Sequence, residues 1–241
     1  LDIEDIGDLA SIPVRTLPCR IDSIKYLNND VLKLLLRLPP SSNFKFIPGQ
    51  YIDIINSDTR RSYSIAGAPR SDGKLELQIK KVKNGVMSNY FFSDASENDL
   101  LRLEGPLGTF SYRDDPSENI VLLATGTGIA PIKALLESFK INNIKKNVYV
   151  IWGGRYRSDL YLDTYKINTN HVFVPVLSRE EFPDIFVGYV QEAALQLDID
   201  LKKTTVYACG SETMIKDGRI LLIKNGLASN RFYSDAFVSS N

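Results

Sequence analysis

The amino-acid sequence predicts two domains in series: an antiparallel β-barrel, then an α/β domain built on a doubly wound parallel sheet. Two patterns carry this reading. Before Asp114-Asp115-Pro116, short runs of β-forming residues follow one another with turn signals between them, the rhythm of a barrel. After it, strand-like and helix-like stretches alternate, which calls for parallel β-α-β units. A chain of 241 residues, 44% of them hydrophobic, has room and apolar material for both. The expected division is 1–17 as an arm or linker, 18–115 as the barrel and 116–241 as the α/β domain.

The barrel strands are expected at Cys19–Tyr26, Val31–Leu38, Gln50–Ile55, Arg61–Ala66, Lys74–Lys81 and Leu100–Glu104. Asn28-Asn29-Asp30, Pro48-Gly49, Gly67-Ala68-Pro69, Asp72-Gly73 and Gly105-Pro106 punctuate them. One helix interrupts, Met87–Phe92. In the second half, strands Asn119–Ala124, Asn147–Trp152, His171–Leu177 and Thr204–Cys209 are expected. Helices Ala130–Phe139, Ser158–Tyr165, Val190–Gln196 and Glu212–Lys224 alternate with them.

Composition narrows the chemistry. Lys+Arg and Asp+Glu number 29 each, so no overall positive field draws nucleic acid. No apolar run reaches the ~18 residues of a membrane helix, and no signal peptide opens the chain; a cytoplasmic location is expected. The single histidine, His171, excludes a multi-histidine metal site and reads as structural at the start of its strand. Two cysteines, Cys19 and Cys209, cannot supply the four thiolates of a cysteine-bound iron–sulfur cluster. Nor do they mark a disulfide scaffold. Leu1 rather than Met opens the chain, which reads as a processed chain or a piece of a longer one.

Three motifs carry chemistry. Thr125-Gly126-Thr127-Gly128-Ile129-Ala130-Pro131 lies between a strand and a helix, where glycines admit a phosphate and the helix start offers free N–H groups. A tight turn without a ligand would look similar. Pro131 stands where the G-x-G-x-x-G fingerprint has its last glycine, and the second strand ends in Trp152-Gly153-Gly154-Arg155 without the ribose-binding acid. An ordinary Rossmann dehydrogenase is therefore disfavoured. In Arg61-Ser62-Tyr63-Ser64, alternation puts Arg61 and Tyr63 on one strand face, with Ser62 and Ser64 on the other. An Arg beside a ring suits a phosphate next to a planar group, or is simply a covered surface strand. Gly85-Val86-Met87-Ser88 opens the barrel's helix and is a second anion site or a capped turn.

Taken in order with Gly105-Pro106-Leu107-Gly108 and Cys209-Gly210-Ser211, these motifs resemble the ferredoxin–NADP reductase superfamily over residues 18–237. The resemblance implies an FAD-binding barrel followed by an NAD(P)-binding α/β domain. It implies that Arg61 pairs with the flavin phosphate, that Tyr63 lies against the flavin ring, and that Ser64 bonds near the hydride-accepting nitrogen. Ser62 belongs to the same motif. Gly85, Val86, Met87 and Ser88 would hold the second phosphate, which argues for FAD over FMN. Thr125, Gly126, Thr127, Gly128 and Pro131 would line the nicotinamide cofactor, with Cys209 beside its reacting carbon and Gly210 permitting close approach. Ser64 and Cys209 are thus the expected catalytic residues. Cys19 reads as structural.

The implied chemistry is hydride transfer from NAD(P)H to FAD, followed by one-electron release. Thr16-Leu17-Pro18-Cys19-Arg20-Ile21 and Phe232-Tyr233-Ser234-Asp235-Ala236-Phe237 resemble bacterial CDP-6-deoxy-glucoseen reductases and oxygenase reductases. In those groups a plant-type 2Fe-2S domain often precedes this domain pair. A 2Fe-2S cofactor is expected only if such a domain lies upstream of Leu1, and the expected partner is a ferredoxin-type domain or redox protein. Phe237 is a candidate flavin cover, although four residues follow it. Ser178-Arg179 and Tyr189 resemble the grip on the 2′-phosphate of NADPH, yet NADH-using relatives carry a similar pair; both donors stay open. Two other readings remain: a reductase of free, diffusing flavin, and a flavin-binding regulatory subunit without turnover.

Overall fold

The computed structural model describes residues 12–237, with the side chain of Phe237 outside that description. The chain divides into two compact units, residues 1–113 and 114–241.

The first unit is a curled antiparallel sheet. Its strands are β1 (Arg15–Tyr26), β2 (Val31–Arg37), β3 (Tyr51–Asn56), β4 (Thr59–Ser64), β5 (Leu75–Lys80) and β6 (Leu100–Leu107). The spatial order is β4-β3-β6-β1-β2-β5, and a bridge between Ile65 and Leu77 draws the two outer strands together. Alternation builds the interior: Leu32, Leu34 and Leu36 of β2 and Ile52 and Ile54 of β3 are fully buried in one cluster. A β-bulge between Ile21 and Ser23 sharpens the curl of β1. A short helix, α1 (Val86–Asn89), runs into a π-helical turn at Tyr90–Asp94, closed by Ala95 N–H donating to the Tyr90 carbonyl at 2.8 Å. Helical structure thus spans the expected Met87–Phe92, in two hydrogen-bonding patterns.

The segment expected as an arm needs a correction at its end. Arg15, Thr16 and Leu17 pair with Gly105, Glu104 and Leu103 of β6, so they are strand. Pro18 hid this, yet proline is tolerated where no ladder hydrogen bond is required of it. Residues 1–11 lie outside the described residues.

The second unit is a six-stranded parallel sheet, order β10-β9-β8-β7-β11-β12. The strands are β7 (Asn119–Thr125), β8 (Asn147–Gly154), β9 (Val172–Leu177), β10 (Phe186–Val187), β11 (Thr204–Ser211) and β12 (Phe232–Phe237). Helix α2 (Ile129–Ile141) packs on β7 and β11. Helices α3 (Val190–Ala194) and α4 (Glu212–Lys224) share an apolar cluster with Val121, Leu123, Val206 and Ala208. The winding reverses between β7 and β11, whose carboxyl ends form the switch point where such sheets bind ligands.

The expected helix at Ser158–Tyr165 does not form. Two 3-10 turns, Arg157–Asp159 and Thr164–Lys166, stand in its place. Asp159 accepts the N–H groups of Arg155 at 2.8 Å and Tyr156 at 3.1 Å, and Asp163 accepts that of Tyr165 at 3.2 Å. Such local bonds compete with helix, and Tyr161 settles edge-on against the buried Trp152 ring at 5.1 Å. Helix α3 stops at Ala194 rather than Gln196. Strands β10 and β12, absent from the sequence reading, extend the sheet at both edges.

Candidate functional site

The sequence-expected residues fall into one constellation in each unit. In the first, β4 presents Arg61 and Tyr63 on the face of their cross-strand partners, the buried Ile54 and Ile52. Arg61 is exposed; its Nη1 donates to the Arg60 carbonyl at 2.7 Å, and it pairs with no carboxylate among the described residues. Tyr63 is half-buried, edge-on to Phe91 at 6.1 Å, and burial pushes its phenol above the ordinary range. Ser64 is buried, and its hydroxyl makes no hydrogen bond among the described residues. A guanidinium with no carboxylate partner, a ring and a hydroxyl without a hydrogen bond among the described residues, on one short strand, fit the phosphate, ring and polar edge of a flavin.

Ser62 is placed differently. Its hydroxyl donates to Asp53 Oδ1 at 2.5 Å, on the outer face of the sheet. At the start of α1, Met87 is buried in the core and Val86 is exposed. The Ser88 hydroxyl is spent on the turn: it accepts the Val82 N–H at 3.1 Å and lies 3.1 Å from the carbonyls of Val82 and Gly85. No side chain caps the helix start, so any anion held there meets backbone N–H groups next to Gly85.

In the second unit, the Thr125–Pro131 motif wraps the carboxyl end of β7. Gly126 has φ of +54°, a left-handed conformation that suits glycine. Its carbonyl accepts the Trp152 indole N–H at 2.9 Å, which pins the turn to β8. Pro131 sits in the first turn of α2, where its missing N–H breaks no bond. A Cβ on Gly128 would collide with the Cys209 carbonyl and reach the Gly210 nitrogen at 3.0 Å. A Cβ on Gly210, at φ +153°, would collide with Thr125 Oγ1 and meet Met214 Cε at 2.9 Å. Gly128 lets the turn after β7 lie against the Cys209–Gly210 backbone, and Gly210 adds no side chain of its own beside Thr125 and Met214, a close-approach cradle suited to a dinucleotide.

Cys209 is fully buried; burial first, then the charge of Asp235, pushes its thiol well above the ordinary range, so it is a neutral S–H. Ser178 and Arg179 follow β9, where the Arg179 N–H donates to the Arg155 carbonyl at 3.0 Å. Arg179 is exposed and pairs with no carboxylate among the described residues. Tyr189 is 60% exposed at the start of α3. Phe237 ends β12 opposite Ser211, but its side chain lies outside the described residues. Cys19 and His171 are buried; burial pushes the Cys19 thiol up to about 12. His171 Nε2 lies 2.9 Å from the Thr164 hydroxyl.

Two features escaped the sequence reading. Asp235 is the register partner of Cys209, and burial raises its carboxyl. The alternation of Phe232–Phe237 was the available signal. Arg60 is tied to Asp53 and Glu104 on the outer face of β4, leaving Arg61 as the uncommitted arginine of the pair.

Known proteins resemble this chain across both units. Residues 18–112 match the oxidoreductase FAD-binding domain and residues 122–219 the oxidoreductase NAD-binding domain. CDP-6-deoxy-L-threo-D-glycero-4-hexulose-3-dehydrase reductase of Yersinia pestis is 42% identical, covering 100% of this chain and 74% of that protein. Protein RfbI of Salmonella typhimurium is 36% identical, covering 97% of this chain and 72% of that protein. The crystal structure of the Amycolatopsis cytochrome P450 reductase GcoB superposes with a TM-score of 0.85 at 25% identity, covering 94% of this chain and 71% of that one. The chain belongs to the ferredoxin reductase family and is a flavoprotein reductase that uses FAD and NAD(P)H.

Proposed function

We propose that this family member is the electron-entry component of a multi-protein redox system, delivering electrons from NAD(P)H to an iron–sulfur centre or other redox protein. The observation that carries it is the 42% identity to a hexulose-dehydrase reductase over the whole chain and 74% of that protein. No helix among the described residues is long and apolar enough to cross a membrane. Both cysteines are buried free thiols, as suits the reducing cytoplasm.

Bound FAD supplies the capacity to accept a hydride as two electrons and to release them singly. The chain's residues do the rest. Arg61 holds a flavin phosphate by charge, Tyr63 offers a face to the ring, and Ser64 donates a hydrogen bond at the ring's polar edge. The N–H groups beginning at Val86 hold the other phosphate. Gly126, Thr127, Gly128 and Pro131 receive the nucleotide, and Gly210 keeps its reacting end clear of side chains. Cys209 stays protonated and acts by position, with Asp235 beside it, so no side-chain base is required. Orientation of donor and acceptor accounts for much of the rate.

Gel filtration followed by assay tests the reading. Yellow colour should co-elute with the protein, and the chain should reduce ferricyanide with NADH or NADPH. A plant-type ferredoxin domain, added in trans or fused before Leu1, should open transfer to a protein acceptor. Protein that elutes colourless yet reduces added free flavin would replace this reading with that of a flavin reductase.

A further inference from the structure

We propose that Asp53, Arg60 and Glu104 form a positioning device for the flavin site, gripping β4 by its outer face so that Arg61 on its inner face keeps one orientation. The proposal rests on the assignment of Arg61 to the flavin phosphate.

Strand β4 ends the order of its sheet and is laddered along its length only to β3. One ladder leaves an edge strand freer to twist than an inner one. The outer face compensates. Arg60 Nε donates to Asp53 Oδ2 at 2.6 Å, Nη2 to Glu104 Oε1 at 2.5 Å and Nη1 to Glu104 Oε2 at 3.2 Å. Ser62 Oγ donates to the other Asp53 oxygen at 2.5 Å, and Thr16 Oγ1 to Glu104 Oε2 at 3.3 Å. Five side chains thereby tie β4 to β3, β6 and β1.

Charge here does more than cover surface. The Asp53 side chain is only 11% exposed, a costly place for a carboxylate unless it is paired. Apolar residues would close the same surface without that cost. A guanidinium forked between two carboxylates fixes angle as well as distance. It also neutralises one of two adjacent arginines, so the charge left unspent on β4 is that of Arg61.

A double-mutant cycle on the full chain, stripped of flavin and titrated with FAD, tests this. Asp53→Asn and Glu104→Gln keep shape, while Arg60→Lys keeps charge but loses the fork. Each should weaken FAD binding by about tenfold or less while moving the apoprotein melting midpoint little, and Arg60→Lys should not rescue. In an Arg61→Ala background the same changes should have little further effect, because the device acts through Arg61. Additive losses in that background, or melting shifts without a change in FAD affinity, would overturn the proposal and leave a plain structural network. If Arg61→Ala itself leaves FAD affinity unchanged, the flavin assignment fails and the proposal with it.

Discussion

The two units prepare for their ligands by opposite means. The curled sheet offers side chains: Arg61, Tyr63 and Ser64 lie on β4, and on the proposed assignment their identities define the site. The parallel sheet offers close backbone approach: Gly128 lets the turn after β7 lie against the end of β11, Gly210 lies against Thr125, and a Cβ on either collides with its neighbours. A side-chain site is lost by removing atoms, and a backbone site is lost by adding them. The difference makes the two separable by mutation.

The sharpest separation comes from adding one methyl group. Gly128→Ala should lower the rate of flavin reduction by NAD(P)H on the order of a hundredfold, because displacing the turn misplaces the nucleotide. FAD content should stay at the wild-type level. Absorbance of the purified protein together with stopped-flow bleaching measures both, and loss of FAD would show that the two constellations are not independent.

Removing atoms from the other unit should do the reverse. Arg61→Ala loses a hydrogen bond to a charged group, about 1.5–3 kcal/mol of FAD affinity, while the exposed position leaves the fold intact. Fluorescence titration of FAD reads the loss, and nucleotide binding should be unaffected.

Within the nucleotide unit, Arg179→Ala asks where side chains still matter. If Arg179 grips a 2′-phosphate, kcat/KM with NADPH falls about tenfold while that with NADH holds. Equal small losses identify it as a surface charge and NADH as the donor. Cys209→Ala is expected to do less: FAD stays bound and flavin reduction slows several-fold, since a neutral buried thiol acts by shape. Wild-type bleaching rates would return Cys209 to a structural role.

The smallest effect is on stability in acid. Burial pushes Asp115 up, but hydrogen bonds from Ser117 and Thr205 and the ammonium of Lys146 outweigh it and hold the carboxyl down at about 2. A carboxyl lower in the folded state contributes stability that is present above the unfolded value of 3.8 and lost as pH falls through about 2. Urea midpoints of the wild type should fall across that window, and those of Asp115→Asn should fall less steeply. Asp235 works in the opposite sense: burial raises its carboxyl, so its contribution is present at low pH and lost as pH rises through its folded value.

The sequence was legible where local pattern and final structure agree. A run of β-formers at Val31–Leu38 and a continuous apolar run within Asn119–Ala124 specified strands, and Glu212–Lys224 carries its own cap, since Ser211 Oγ accepts the Met214 N–H at 3.3 Å. The order of the motifs was enough to identify the family, because several separate short motifs in one fixed order rarely coincide by chance. Other features required the folded chain. Whether Ser158–Tyr165 coils or turns depended on two aspartates competing for backbone N–H groups and on a tyrosine meeting Trp152, contacts that helix propensity does not include. That Ser62 is spent on Asp53 while Ser64 makes no hydrogen bond among the described residues, and that Arg60 rather than Arg61 is paired with carboxylates, follows from cross-strand register; that Ser88 is spent follows from the turn at residues 82–85. Asp235 became a neighbour of Cys209 only when β12 paired with β11. Residue type and spacing determined which chemistry the chain carries; the pairing of distant strands decided which groups remain available to perform it.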